Sequence, residues 1–147
     1  MNSKHIGVIT EYKLKLWFLK QGYVVCEPIG DNSRYDFLVE INNNFIRFQS
    51  KTGNLTRKPG CLNFSCASVR HNETKGNYRV QYTNKEIDYF ITCHPLTDEI
   101  FIVPVEECGN EFNIRLEKPK NNNVSNCHMA ENYEGKKMME KIIEKLS

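Results

Sequence analysis

At 147 residues, 39% of them hydrophobic, the chain can hold one packed core and is short for two. That hydrophobic fraction is ordinary for a globular domain, and no apolar run approaches the roughly 20 residues that a membrane-spanning helix needs. The formal net charge of +2 singles out no partner class; the arrangement of the charges along the chain says more.

Residues 5–21 form the first expected helix, with Val8, Ile9, Tyr12, Leu16 and Leu19 recurring at helical spacing and Gly22 as its stop. A short β-branched strand follows at 23–27, ended by Pro28. Gly30-Asp31-Asn32-Ser33 then turns the chain into two apolar strands, 36–41 and 45–51, joined by the tight Asn42-Asn43-Asn44 turn. Antiparallel pairing through so short a turn sets the start of one strand beside the end of the other. Asp36, Gln49 and Lys51 should therefore meet at one edge of the hairpin, while Phe48 and Ser50 point away.

From 53 to 83 the apolar pattern is too short for a helix. Two alternating runs, 62–68 and 78–82, flank the polar stretch 70–77. They read as a two-stranded β-ribbon, about 56–83, projecting from the core. A buried strand at 87–93 and a hairpin partner at 100–105 come next, then a short strand at 112–116 and an Asn-rich loop at 120–126. The tail, 130–146, is an amphipathic helix with an apolar stripe of Tyr133, Met138, Met139, Ile142, Ile143 and Leu146. That stripe suits packing on its own domain or a subunit contact. A single α/β domain around a mixed sheet is the expected architecture, with the core at about 5–55 and 86–117.

Charge divides the chain. Between Arg47 and Lys85, the cations Arg47, Lys51, Arg57, Lys58, Arg70, Lys75, Arg79 and Lys85 face the single acid Glu73. In the next stretch, up to Glu117, Glu86, Asp88, Asp98, Glu99, Glu106, Glu107, Glu111 and Glu117 face only Arg115. One electropositive face is the footprint of a nucleic-acid binder. A two-stranded ribbon fits the DNA major groove, where Arg and Lys suit guanine and Asn and Gln suit adenine. The candidate DNA-binding residues are Arg57, Lys58, Asn63, Ser65, Arg70, His71, Asn72, Lys75, Asn77, Arg79 and Gln81. Asn63, Ser65, Arg79 and Gln81 lead for base contacts, with Arg57, Lys58 and Lys75 as phosphate anchors. Cysteines 26, 61, 66, 93, 108 and 127 form no CxxC pair and no zinc-like spacing with the histidines. They are expected to be free thiols in a reducing cytosol.

The Gly30-Asp31-Asn32-Ser33-Arg34-Tyr35-Asp36 approach, Phe48-Gln49-Ser50-Lys51-Thr52-Gly53 and a preceding helix with Glu11 resemble the PD-(D/E)xK nuclease superfamily over about residues 5–105. Glutamine in place of the second acid is similar to the branch that includes intron-encoded homing endonucleases of cyanobacteria. The resemblance implies a restriction-endonuclease-like α/β core, a mixed sheet flanked by helices. It implies Glu11, Asp36, Gln49 and Lys51 as catalytic residues. Glu11, Asp36, Gln49 and the Ser50 backbone carbonyl would be ligands for Mg2+, with Mn2+ or non-productive Ca2+ as substitutes. Lys51 would position the attacking water.

The same resemblance implies sequence-specific cutting of double-stranded DNA at a long, partly symmetric site. The working form would be a homo-oligomer, a tetramer built as a dimer of dimers, in the prokaryotic cytoplasm and at the nucleoid when bound to DNA. A Holliday junction resolvase and a DNA binder with an inactivated site are the alternatives, the second because Gln49 brings no charge. Glu11 also stands four residues before Lys15, the favoured order for a helix ion pair.

Overall fold

The chain reverses at Asn42 and Asn43, whose φ values of 51° and 63° lie in the left-handed region. Asparagine tolerates that conformation, and a two-residue type I′ hairpin turn requires it at both positions. The turn joins β2 (Phe37–Ile41) to β3 (Asn44–Ser50) with Phe37 opposite Phe48 and Ile41 opposite Asn44. Around this hairpin a computed structural model describes residues 1–56 and 60–147.

Helix α1 (Ser3–Lys20) opens the chain, capped by the Asn2 side chain, which accepts from the His5 N–H. Strand β1 (Val24–Cys26) then pairs with β2. After β3 come β4 (Asn54–Leu55), β5 (Cys61–Ser65), β6 (Ala67–Asn72) and β7 (Gly76–Gln81). Strands β8 (Tyr89–Cys93), β9 (Ile100–Pro104) and β10 (Glu111–Arg115) lead to helix α2 (Gly135–Leu146). Five strands form the main sheet in the order β1-β2-β3-β8-β9, antiparallel except where β3 runs parallel to β8. A parallel pair needs a long crossover, and here β4 to β7 occupy it.

Alternation along β9 divides the core. Ile100 and Ile102 join Leu14, Phe18, Phe37, Phe48, Met138, Met139 and Ile142 on the helical side, while Phe101 and Val103 join Leu62, Phe64, Phe90, Phe112 and Ile114 on the other. Both helices thus cover one face of the main sheet, and a second sheet, β10-β5-β4, covers the opposite face.

Two sequence expectations are corrected. Residues 61–65 are not a ribbon strand: β5 pairs with β10 residue for residue, Phe64 opposite Phe112 and Leu62 opposite Ile114. The ribbon is β6 with β7, closed by Asn72, whose Oδ1 accepts from the Thr74 and Lys75 N–H groups, and by Gly76 at φ 69°. The stripe expected to face inward from α1 is exposed. Val8, Ile9, Tyr12, Leu16 and Leu19 face outward, and Thr10, Leu14, Lys15 and Phe18 are buried. By contrast the α2 stripe is packed against its own sheet through Met138, Met139 and Ile142, with Ile143 and Leu146 half-buried beside them.

Candidate active site

Phe37 and Phe48 turn toward the helices and stack 5.6 Å apart between ring centroids, beneath Phe18 of α1. Their neighbours Asp36 and Gln49 consequently face the other way, at the open end of the hairpin. The Asp36 N–H donates to the Phe48 carbonyl (2.9 Å), and its Oδ2 accepts from the Ser50 N–H (2.9 Å). Gln49 Oε1 is buried, with no hydrogen-bond donor on it among the described residues. Beyond Ser50 the Lys51 N–H is held by the Ile91 carbonyl of β8. Gly53 then passes so close to β8 that a Cβ there would lie 2.9 Å from the Cys93 carbonyl, so no side chain is accommodated where the chain leaves the site.

Burial pushes the Asp36 carboxyl above the ordinary carboxylate range; the Ser50 N–H opposes the shift and the negative charge of Glu11 adds to it. Lys51 moves the other way. Burial pushes its ammonium below the usual lysine value against the attraction of Asp36, and Arg34 and Arg79 repel it further. Two opposite charges held out of water beside each other are characteristic of sites tuned for chemistry.

Glu11 stands on a turn of α1 that reaches this end of the sheet. With Asp36, Asp31, Tyr35, Lys15 and Glu27 it lines a cleft of about 290 Å³. The ion pair expected from spacing is present as well: Lys15 Nζ lies 3.1 Å from Glu11 Oε2 and also bonds Glu27. Burial alone would lower the Lys15 pKa, but the bonds to Glu27 and Glu11 carry it above the usual value. Glu11 is thus both a helix-pair partner and a wall of the Asp36 cleft.

Sequence reasoning missed Arg34 and Tyr82. The Arg34 guanidinium lies 3.8 Å from the Tyr82 ring centroid, donates to Ser68 Oγ (2.7 Å) and pairs through Nε with Glu86 (2.9 Å). Lys51 Nζ is 5.1 Å from the centre of the same ring. Arg34 stands in the approach to Asp36 and was visible there as a cation two residues before the acid. Tyr82, just past the ribbon, gave no signal.

Of the DNA-binding candidates, Arg57 and Lys58 fall outside the described residues. Asn63 and Ser65 belong to the second sheet, with Asn63 Nδ2 donating to Asn113 Oδ1 (2.8 Å). Ser65 still meets the ribbon, since Arg79 donates to its Oγ (3.0 Å). Arg79 and Gln81 share a ribbon face with His71 and Asn77, whose side chains meet at 3.0 Å. Asn72 is spent on the ribbon turn, while Arg70 and Lys75 extend into solvent. Arg47, counted among the excess cations, is neutralised by Asp88 through its Nε (3.1 Å) and Nη2 (3.0 Å). The electropositive face is accordingly narrower than the linear charge count suggests.

Among the described residues no three His, Cys, Asp or Glu side chains come together as a metal cluster. The oxygens at hand are two carboxylates, Asp36 and Glu11, the unpartnered Gln49 amide oxygen and the backbone at Ser50. Hard oxygen donors with an orphaned buried acceptor fit a divalent cation that retains several waters, and PD-(D/E)XK nucleases generally use divalent metal ions.

A solved bacterial homing endonuclease, I-Ssp6803I, has the same fold, with a TM-score of 0.79 over 99% of this chain and 95% of that one at 20% sequence identity. No curated protein sequence matches the chain. Over residues 1–136 the sequence matches the PD-(D/E)XK endonuclease family; with the hairpin of Asp36, Gln49 and Lys51 on the sheet of that fold, the chain belongs to this family of nucleases.

Proposed function

We propose that this nuclease is a magnesium-dependent, sequence-specific double-strand DNA endonuclease of the homing type, acting at a long, partly symmetric site. The observation that carries an intact rather than a decayed site is Gln49 Oε1, a buried acceptor without a donor beside a desolvated Asp36. A lone buried oxygen costs stability unless something fills its valence, so its retention favours a ligand there.

Asp36, Glu11, the Gln49 amide and the Ser50 carbonyl would hold the cation. When bound, it supplies Lewis-acid polarisation of the phosphodiester and makes water more acidic. Lys51, beside Asp36 and partly desolvated, orients the attacking water, and its ammonium offsets charge that builds on the phosphate. Arg34, fixed on Tyr82 and paired with Glu86, holds that ring in place beside Lys51. Hydrolysis then runs without a covalent intermediate.

Arg70 and Lys75 at the outer end of the ribbon anchor phosphates, and Arg57 and Lys58 are assigned the same role from sequence alone. Arg79 and Gln81 contact base edges. One subunit reads too few base pairs for a long site, and cutting both strands needs two active sites, so the working form is a homo-oligomer; the resemblance to the homing branch implies a dimer of dimers. The outward apolar stripe of α1, from Ile9 through Tyr12 and Leu16 to Leu19, supports such assembly.

The test is cleavage of a randomised-site plasmid library by the purified protein, with magnesium or with EDTA, and sequencing of the ends. Recurrent cuts at one long site only with magnesium are expected, with Asp36→Ala abolishing cleavage while retaining the library's selected site. Equal cutting of branched DNA regardless of sequence would make it a junction resolvase. Retention of DNA with no cutting under any condition would make it a binder.

A further inference from the structure

Strands β4, β5 and β10 place three asparagines in one row. Asn54 is directly opposite Asn63, and Asn63 directly opposite Asn113. The intervening side chains of β5 and β10, Leu62, Phe64, Phe112 and Ile114, are buried against the main sheet, so the row lies on the outer face of the second sheet.

We propose that this outer face is a second DNA-reading surface, with Asn54, Asn63 and Asn113 recognising base edges in the major groove beside the ribbon. The inference rests on the reading of the chain as a site-specific DNA endonuclease. It extends recognition to β4 and to β10, a strand from the acid-rich half of the sequence.

Hydrogen-bonding capacity supports it. An asparagine amide has two N–H donors and an oxygen with two lone pairs. Among the described residues Asn63 uses one N–H on Asn113, and Asn54 makes a 3.5 Å contact to the Thr52 carbonyl and no other side-chain hydrogen bond. Each of the three amides therefore keeps an acceptor lone pair and an N–H, the combination that binds N7 and N6 of adenine together. Neighbouring strands lie about 4.8 Å apart, so the row is about 10 Å wide, within a major groove of about 12 Å.

Continuity supports it too. The face joins the ribbon where Arg79 donates to Ser65 (3.0 Å) and where the Gln81 amide donates to Asn110 Oδ1 (3.1 Å). At its other side, Asn54 stands three residues after Lys51, on the strand into which the catalytic hairpin runs. Glu111, opposite Ser65, shares the face; a carboxylate there disfavours phosphate and suits the cytosine amino group.

Asn54→Ala and Asn113→Ala test the row, because both side chains are exposed and neither belongs to the catalytic hairpin. The site selected by the wild-type protein is varied one base pair at a time, and affinity is measured over a series of salt concentrations. Each variant is expected to lose preference at one or two base pairs and to bind the selected site about 5- to 150-fold more weakly, the worth of one amide–adenine pair. Non-specific affinity and salt slope should stay at wild-type values for both, and so should the melting temperature of Asn54→Ala; Asn113→Ala, which removes the acceptor of the Asn63 bond, should melt at most a few degrees lower.

Base preferences unchanged at every position would overturn the inference while leaving the endonuclease reading intact. So would an equal loss of affinity for all sequences, which is the mark of a backbone contact or a folding defect. A wild-type protein that selects no site would refute that reading and this inference together.

Discussion

Helices α1 and α2 cover the same face of the same sheet, yet they are committed to it to different degrees. All the large apolar side chains of α2 turn inward or lie half-buried, with Lys136, Lys137, Glu140, Lys141 and Glu144 in solvent. In α1 apolar residues lie on both sides: Leu14 and Phe18 are 0% exposed, but Tyr12 is 64% and Leu16 49% exposed. A one-sided helix is satisfied by one sheet, whereas a helix that is apolar all round calls for a second surface. Helix α2 thus spends its apolar face on the fold, whereas α1 serves the fold and the cleft through Glu11 and leaves an apolar stripe uncovered by its own chain.

The inward faces of both helices should carry the largest effects. Phe18→Ala is expected to cost about 3–5 kcal/mol and Ile142→Ala about 2–5 kcal/mol, read by urea unfolding of dilute protein. Leu16→Ala, on the outward side of α1, should stay within about 0.5 kcal/mol under the same conditions. If Leu16→Ala costs as much as Phe18→Ala, the outer stripe is buried by its own chain and the contrast between the helices disappears.

Changing the outer stripe to charge sharpens the same contrast. With Tyr12→Lys and Leu16→Lys together, sedimentation should show the assembly reduced to monomers at concentrations where the wild type associates. Melting of the diluted chain should hardly move, because neither side chain is covered within a subunit. A wild-type chain that stays monomeric at every concentration would remove the role assigned to this face.

Much of this was legible in the sequence, and the failures share a cause. The Asp36–Lys51 hairpin was readable because its signals are local: an Asn-rich turn, alternation, and a motif within sixteen positions. The inward face of α1 was not, since residues 9, 12, 16 and 19 and residues 10, 14 and 18 are equally good helical stripes, and only tertiary packing chooses between them. Strand β5 alternates as a ribbon strand would, but its partner β10 lies far along the chain, a pairing no local pattern encodes. Linear charge counting likewise missed that Asp88 neutralises Arg47 across the sheet. Arg34 stood in the motif, yet its stacking on Tyr82 depends on where the ribbon rejoins the core.

The smallest expected effect concerns the other place where stability and position disagree. The outer stripe of α1 is apolar surface left in water; Asp36 is a charge taken out of it. Because burial raises the Asp36 pKa in the folded state above its unfolded value, its contribution to stability is fully present only below the unfolded pKa. It is lost as pH rises through the folded one. At neutral pH the carboxylate therefore works against folding. Attraction to Lys51 ranks below burial for both groups, so it reduces this cost without cancelling it.

Asp36→Asn removes the charge and keeps an oxygen for the Ser50 N–H. In EDTA the variant is expected to melt above the wild type at pH 7, with the difference shrinking as pH falls toward the ordinary carboxylate value of about 3.9. A variant less stable than the wild type at pH 7 would mean that the carboxylate holds the hairpin together. Asp36 would then resemble Phe18, placed for the fold, rather than Tyr12, placed for something the single chain does not supply.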